Sequence, residues 1–223
     1  MIWKLSSYLK KLWFVFLLAG IGSVCAGSYE DFFSSIIRDD SAQVEKLLGR
    51  GFDANTVDPG GQTGLTLALR EPSLESALVL IEWPNTNVNK MNLQGESALM
   101  LAALKGQTNL AEKLIAKNAD INKTGWTPLH YAASSGQVAL ITLLLENSAY
   151  IDAESPNGTT PLMMAARYGS AASVKLLLDH DADPKLRNQQ GLTALDFAQQ
   201  GKRLDAVDAI ALHMKKLQPS GKW

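Results

Sequence analysis

The chain has 223 residues, of which 46% are hydrophobic and 19% are charged, and its formal net charge is -1. This composition excludes a disordered chain and is consistent with one core-forming unit. Because phosphate binding requires an excess of Lys and Arg, the near-neutral charge argues against a nucleic-acid partner.

The first 26 residues have the pattern of an export signal. Three lysines and no acidic residue accompany an apolar run over residues 12–19. Val24-Cys25-Ala26 then fits the small-x-small pattern that a signal peptidase reads. We therefore expect cleavage between Ala26 and Gly27, a periplasmic or secreted mature chain, and no membrane association after cleavage.

Two other interpretations of this segment stay open. An uncleaved signal would anchor the chain in the membrane, but a span requires about 20 apolar residues and Gly20 and Gly22 interrupt this run. Acylation at Cys25 is less favoured, because Val24 stands where lipoprotein signals have Gly, Ala or Ser. Cleavage would remove the only cysteine. It would also remove three lysines and no acidic residue, so the net charge would change from -1 to -4.

A short phrase recurs along the rest of the chain. Residues 125–133 read GWTPLHYAA, residues 158–166 read GTTPLMMAA and residues 191–198 read GLTALDFA, with weaker copies at 95–103 and 61–68. The Thr or Ser of each copy follows the previous one by 34, 30, 33 and 33 residues: Thr63, Ser97, Thr127, Thr160 and Thr193. A 33-residue period with T-P-L-H-x-A resembles the ankyrin repeat signature.

The resemblance extends from about Tyr29 to about Leu217. It implies an all-α fold: an ankyrin-repeat solenoid of about six helix-turn-helix units with short β-turn fingers, preceded by a signal peptide helix. The expected domains are a signal peptide at 1–26, an ankyrin repeat domain at 27–217 and a C-terminal tail at 218–223. The expected units are approximately 29–59, 60–93, 94–123, 124–156, 157–189 and 190–217, of which the outer two cap the apolar ends.

Local signals place the helix ends. The Thr or Ser of each phrase is expected to cap a first helix, and Pro128 and Pro161 to occupy its first position. Gly136 and Gly169 are expected to form the turn into the second helix. The residues expected in a left-handed conformation after the second helices are Gly51, Asn85, Asn118, Ser148 and Asp181.

Two departures from the period are expected to be irregular in structure. The interval of 30 means that the connection Asn122–Gly125 has lost about three residues from the loop that forms a β-turn, so that finger should be stunted. In the second unit, residues 70–73 replace the usual glycine turn, and Trp83-Pro84 closes the second helix with one extra residue.

No group of residues predicts catalysis or ion binding. The resemblance implies that His130 serves hydrogen bonding between repeats, whereas His180 lies at a helix terminus and His213 has no ligand-like spacing. The acids Asp179, Asp181 and Asp183 lack the Gly and Glu that complete a calcium loop. We expect no catalytic residue, no cofactor, no metal and no enzyme activity.

The resemblance implies that a partner protein binds in the concave groove formed by turn tips and first helices. Trp126, Arg167 and Tyr168 are the expected central patch, since Trp, Tyr and Arg dominate interfaces; a packing role for the two aromatics is the alternative. The remaining expected groove residues are Leu93, Glu96, Leu104, Lys105, Ser134, Ser135, Thr159 and Leu192.

The expected function is that of a monomeric, exported adaptor or inhibitor that binds another protein. Two alternatives remain open: an accessory factor that supports or protects an envelope enzyme, and an effector delivered to a host cell.

Overall fold

A computed structural model of the chain describes residues 27–217. The expected export signal at 1–26 and the tail at 218–223 therefore lie outside the described residues. The described part is helical, apart from turns and one isolated antiparallel bridge between Val57 and Thr63. This confirms the all-α prediction. Within residues 27–217, no helix is both long and apolar enough to cross a membrane.

Twelve helices lie within the described residues and alternate between first and second helices of successive repeats. Their bounds are α1 (27–37), α2 (Ser41–Gly49), α3 (Gly64–Arg70), α4 (Leu74–Glu82), α5 (Ala98–Lys105), α6 (Thr108–Ala116), α7 (Pro128–Ser134), α8 (Val138–Glu146), α9 (Pro161–Tyr168), α10 (Ala171–Asp179), α11 (Ala194–Gln200) and α12 (Leu204–Lys216).

The described residues divide into two compact units, 27–85 and 86–217, where the length suggests one. In the first unit, Phe32 and Ile36 of α1 are fully buried. The ring of Phe32 lies 4.5 Å from that of Phe52, centre to centre. Gly64 occupies the first position of α3, where a Cβ would lie 2.8 Å from the Phe32 ring. The glycine therefore lets α3 approach the aromatic core of this unit.

In the second unit, the first helices form one layer in which α7 packs between α5 and α9, and α11 packs on α9. The second helices form the other layer, in which α8 contacts α6 and α10. Close approach within the first layer depends on small side chains at its centre. Ala102, Ala132 and Ala165 are each fully buried, as are Ala103, Ala133 and Ala166.

The prediction that the Thr or Ser of each phrase caps a first helix through its side chain is confirmed for four of the five copies. The side chains of Thr63, Ser97, Thr160 and Thr193 each accept a hydrogen bond from the backbone N–H three residues on. Pro128 and Pro161 occupy the first position of their helices. Thr127 also stands at the N-cap of α7, but its hydroxyl lies 2.9 Å from Nδ1 of His130.

Four of the five expected left-handed residues adopt that conformation, with φ of 92° at Gly51, 61° at Asn118, 66° at Ser148 and 66° at Asp181. The prediction for Asn85 is wrong, because its φ is not positive. The cause lies two residues earlier. A residue that precedes proline is restricted to extended backbone, and Trp83, before Pro84, ends α4 with ψ of 128°.

Gly136 and Gly169 both lie in the turns between first and second helices, as predicted, but for different reasons. Gly136 has a φ of 70°, which favours glycine. Gly169 has a φ of -78°, which any residue adopts. A Cβ at Gly169 would instead overlap the carbonyl oxygen of Ala133 in the neighbouring repeat.

Candidate functional site

Four turns between repeats are complete and share one hydrogen-bonding pattern, over residues 58–62, 92–96, 155–159 and 188–192. In the last of these, Asn188 N–H donates to the Leu192 carbonyl at 3.0 Å and Gly191 N–H donates to the Asn188 carbonyl at 2.8 Å. The Asn188 side chain closes the turn by accepting from Leu192 N–H at 3.0 Å. Asp58, Asn92 and Ser155 make the equivalent side-chain bond.

The connection that precedes Trp126 is shortened, as the 30-residue interval predicts. Residues 120–126 lie within the described part of the chain and make none of the backbone bonds that close a complete turn. The Lys123 ammonium donates to the Trp126 carbonyl at 3.4 Å instead. Gly125 lies against the next turn, since a Cβ there would be 3.5 Å from Pro156.

The two complete turns that follow are bonded to each other. Gln189 N–H donates to the Asn157 carbonyl at 3.0 Å, and its side-chain amide donates to the Pro156 carbonyl at 2.9 Å. Backbone and side chain thus join neighbouring turns where both are complete.

Beside the shortened connection lies a mainly apolar pocket of about 230 Å³, which we name the Trp126 pocket. Three neighbouring first helices supply its lining, together with Trp126, which lies two residues before α7. The helical lining residues are Leu104 from α5, His130, Tyr131 and Ser134 from α7, and Met164 from α9. Trp126 is half-buried, and its ring meets that of His130 edge-on at 5.2 Å between centres.

His130 forms the floor of this pocket and is fully buried. Its Nδ1 accepts from Thr127 N–H at 3.2 Å, so Nε2 carries the proton and donates to the Thr159 carbonyl at 2.9 Å. The imidazole thereby joins two repeats, as the resemblance implies. Burial lowers the pKa of His130 to about 4, although the hydrogen bond to Thr159 acts in the opposite direction. The ring is therefore neutral at pH 7.

Three of the expected groove residues line the pocket: Leu104, Trp126 and Ser134. Two others stand beside it in sequence. Lys105 is exposed at the end of α5, and Ser135 donates its hydroxyl to the Tyr131 carbonyl at 2.9 Å.

Arg167 and Tyr168 were expected beside Trp126 but do not line the pocket. Arg167 donates to the Gln200 side chain on α11 at 3.0 Å. Its guanidinium lies 5.2 Å from the centre of the Tyr168 ring, and Tyr168 is 57% exposed. These two residues contact each other at the end of α9, outside the lining of the pocket.

The remaining expected groove residues lie in the turns. Leu93 is 78% exposed at the tip of the turn 92–96, in which Glu96 accepts from the Asn92 side chain at 2.7 Å. Leu192 is half-buried and closes its turn. Thr159 is only 2% exposed, so its side chain contributes to the packing between repeats and is not available at the surface.

Tyr131 and Met164 line the pocket but are not among the expected groove residues. Both occupy the variable position of T-P-L-H-x-A, which holds Leu101 and Phe197 in two other copies. A large side chain in all these copies was the available signal. This signal does not distinguish a surface residue from a core residue, because Leu101 and Phe197 at the same position are buried, with 2% and 7% exposure.

Within residues 27–217, no group of three or more His, Cys, Asp or Glu side chains is arranged to hold a metal ion. This includes the acids at 179, 181 and 183. Asp183 N–H donates to the Asp152 carboxylate at 3.2 Å, which joins two repeats.

Comparison with protein families finds models described as ankyrin repeats. A model of three copies matches residues 33–123 and 67–155, and a model of many copies matches residues 144–198.

Curated relatives share only part of the chain. Residues that make up 34% of it are 40% identical to the ankyrin repeat and SAM domain-containing protein 6 of Rattus norvegicus, and 50% of it is 33% identical to the neurogenic locus notch homolog protein 1 of Xenopus laevis. The matched segments span only 9% and 5% of those proteins.

Solved structures match over a larger share, 82% of this chain in each case. The complex of the predatory endopeptidase Bd0816 from Bdellovibrio bacteriovorus with immunity protein Bd3460 contains a chain that is 29% identical, with a TM-score of 0.69 over 97% of its length. The human ASB11 ankyrin repeat domain is 29% identical with a TM-score of 0.72 over 81% of its length. An ankyrin repeat domain from Acinetobacter baumannii AYE is 24% identical, with a TM-score of 0.70 over 97% of its length, and is similar in fold.

Proposed function

Because this chain belongs to the ankyrin repeat family, we propose that it binds a partner protein through the Trp126 pocket and acts as an exported inhibitor. Ankyrin repeats are protein–protein interaction modules, and the described residues form only such repeats. The partner proposed is an endopeptidase of the cell envelope, bound by a monomer of this chain.

The observation that carries the binding site is the mainly apolar Trp126 pocket between three first helices. A side chain that enters a pocket loses its contact with water, and each Å² of apolar surface so buried contributes roughly 25 cal/mol. Trp and Tyr are enriched among the residues that dominate binding energy, and this pocket presents both. The shortened connection supports the assignment, because residues 120–126 form no complete turn of their own next to the pocket.

Two observations support inhibition of an exported peptidase. A solved complex that contains a similar chain pairs an immunity protein with a predatory endopeptidase. The N-terminal pattern of lysines, apolar run and small residues favours a periplasmic or secreted location. Export would be tested by cell fractionation and N-terminal sequencing, with a mature N-terminus at Gly27 expected and an intact Met1 as the opposing result.

The binding test uses two substitutions of Ser134. Ser134→Arg would place a long side chain in the pocket, and a cation at the end of α7 is compatible with the helix dipole. Ser134→Ala is the matched control, since it removes the same hydroxyl, which bonds only the Tyr131 carbonyl at 2.9 Å, and leaves the pocket open.

The mature chain would be immobilised, exposed to the envelope fraction, and bound proteins identified by mass spectrometry. We expect a peptidase that is bound and inhibited by the wild type and by Ser134→Ala, with at least about 10-fold weaker inhibition by Ser134→Arg, or about 1.4 kcal/mol. Equal inhibition by the two variants, with equal thermal stability, would exclude the pocket as the binding site.

A further inference from the structure

The size, lining and neighbouring charges of the Trp126 pocket indicate which kind of side chain binds in it. We infer that the Trp126 pocket receives an aromatic side chain of the partner and that carboxylates flank this side chain. The inference rests on the proposed function and adds the chemistry of the bound segment.

The size and lining of the pocket favour an aromatic ring. Engineered apolar cavities of about 150 Å³ take up benzene, and the Trp126 pocket has about 230 Å³. Three of its lining residues are aromatic, Trp126, His130 and Tyr131, and Met164 adds a thioether. Aromatic rings pair edge-on with one another, and thioethers lie favourably at ring edges.

The charges around the pocket favour carboxylates next to that ring. The sequences of α5, α7 and α9 are ALMLAALK, PLHYAAS and PLMMAARY, which include no Asp or Glu. Their only formal charges at neutral pH are Lys105 and Arg167, because burial keeps His130 neutral.

Both cations stand next to lining residues. Lys105 follows Leu104 directly and is exposed. Arg167 follows Met164 by three residues, which places it on the same face of α9 one turn further on. A third cation, the Lys123 ammonium, lies 3.4 Å from the Trp126 carbonyl.

Lys123 and Arg167 contact uncharged groups: the Trp126 carbonyl for Lys123, and the Gln200 amide and the Tyr168 ring for Arg167. Arg167 keeps further N–H donors for a carboxylate. The lining residues Leu104, Trp126 and Met164 are thus each neighboured by a cation, although the sequence beyond residue 26 carries a net charge of -4. A negatively charged segment gains attraction from these cations that a neutral or basic segment does not.

Three peptides test the inference directly: acetyl-EEFEE-amide, acetyl-KKFKK-amide and acetyl-EEAEE-amide. Their affinities for the mature chain would be measured by isothermal titration calorimetry. We expect EEFEE to bind at least 10-fold more tightly than either of the others, and to weaken as salt is added, because salt screens exposed charges.

Charge reversal identifies the residues that select the peptide. Lys105→Glu combined with Arg167→Glu should remove the preference for EEFEE over KKFKK. Lys175→Glu combined with Lys185→Glu changes the net charge equally at two other exposed positions and should preserve the preference. Lys105→Glu alone should reduce the preference for EEFEE. Because this single variant keeps the Arg167–Gln200 contact, the reduction could not be caused by loss of that contact.

The result that would overturn the inference is equal binding of the three peptides, or no binding of EEFEE up to about 1 mM, which corresponds to about -4 kcal/mol. Tighter binding of KKFKK than of EEFEE would also overturn the inference. So would equal binding of EEFEE and KKFKK with weaker binding of EEAEE. The proposed function fails separately, if Ser134→Arg inhibits the peptidase as well as Ser134→Ala does.

Discussion

The second unit contains a complete turn at residues 188–192 and a connection before Trp126 that is three residues shorter. The two differ in how they are hydrogen-bonded and in whether a pocket lies beside them. The turn 188–192 is closed by its own hydrogen bonds and is bonded to the turn before it through Gln189. The connection before Trp126 makes no such turn among residues 120–126. Its Asn122 side chain donates to the Ser148 carbonyl at 2.7 Å and accepts from Tyr150 N–H at 2.8 Å, and Lys123 donates to the Trp126 carbonyl at 3.4 Å. Both connections lead into a capped first helix.

The difference teaches that turn length can vary without loss of the repeat, because the cap and the packing of α7 hold the helix in place. Thr127 remains the N-cap, and Leu129, Ala132 and Ala133 remain fully buried. Loss of the turn therefore alters the surface near Trp126 more than the core beneath it. A binding site can therefore form at this connection with little loss in the free energy of unfolding.

His130 joins the shortened connection to the next complete turn, so its removal is expected to have the largest effect. His130→Ala leaves the Thr159 carbonyl without its bond and opens a cavity, which should lower the free energy of unfolding by about 3 kcal/mol or more. Urea titration followed by circular dichroism measures this.

His130→Met is the matched variant, because Met100 and Met163 occupy the same position in neighbouring repeats. Their sulfur atoms accept from the N-cap N–H at 3.3 and 3.4 Å. It should cost less than His130→Ala. Equal losses for the two variants would show that the bond to Thr159 outweighs packing and the cap contact.

Acid should weaken the same junction. The pKa of His130 is lowered to about 4 in the folded protein from 6.5 in the unfolded chain. Between these values the unfolded chain binds the proton and the folded protein does not, so stability is complete above pH 6.5 and falls as pH decreases toward 4. We expect a loss of about 2 kcal/mol between pH 7 and pH 5.

The control for this pH dependence is His130→Met. Burial raises the pKa of Asp152, which works in the opposite sense, but this contribution is common to both proteins. The difference between wild type and variant therefore isolates the histidine. A variant as sensitive as the wild type between pH 7 and pH 5 would assign the effect to other groups.

Glycine substitutions compare the two connections at equivalent positions. Gly125 and Gly191 have φ of 87° and 74°, and Gly191 has open space where a Cβ would stand. Each change to Ala should cost about 1 kcal/mol from backbone strain alone. A Cβ at Gly125 would lie 3.5 Å from Pro156, which is an ordinary contact. We therefore expect thermal unfolding to show equal losses for the two variants, and a larger loss for Gly125→Ala would contradict this.

The smallest effects are expected for single side-chain contacts in the two connections. Gln189→Ala removes the side-chain bond to the Pro156 carbonyl and should cost about 0.5–1 kcal/mol. Lys123→Ala removes a longer contact at the shortened connection and should cost less. Urea unfolding of the two variants measures both losses, and a larger loss for Lys123→Ala would contradict the ranking.

The repeat period, the caps and the shortened connection could be predicted because each depends on local sequence. The left-handed conformation expected at Asn85 was not predictable in this way, since Pro84 imposes an extended conformation on Trp83, which ends α4. Asp39 is similar: its carboxylate accepts from Ser76 N–H at 2.8 Å at the start of α4, where Ser73 makes no side-chain cap. Contacts between residues so far apart in sequence leave no local pattern.

The site was predictable in part for the same reason. Trp126, Leu104 and Ser134 follow from motif position, but Thr159 is turned inward and Arg167 reaches Gln200 on α11. Tyr131 and Met164 share their motif position with buried residues. Exposure at this position is set by the packing of neighbouring helices, which the sequence of one repeat does not show.

The central claim is that the three-residue loss makes the Trp126 pocket a binding site. It is tested by replacing Lys123-Thr124-Gly125 with the six residues 153–158 of the same chain, Ala-Glu-Ser-Pro-Asn-Gly, which restores a 33-residue interval. The measurement is the affinity for the captured peptidase beside that of the wild type, with thermal stability as the control for folding. We predict an affinity at least about 10-fold lower at unchanged or higher stability. Unchanged affinity in a folded variant would contradict the account.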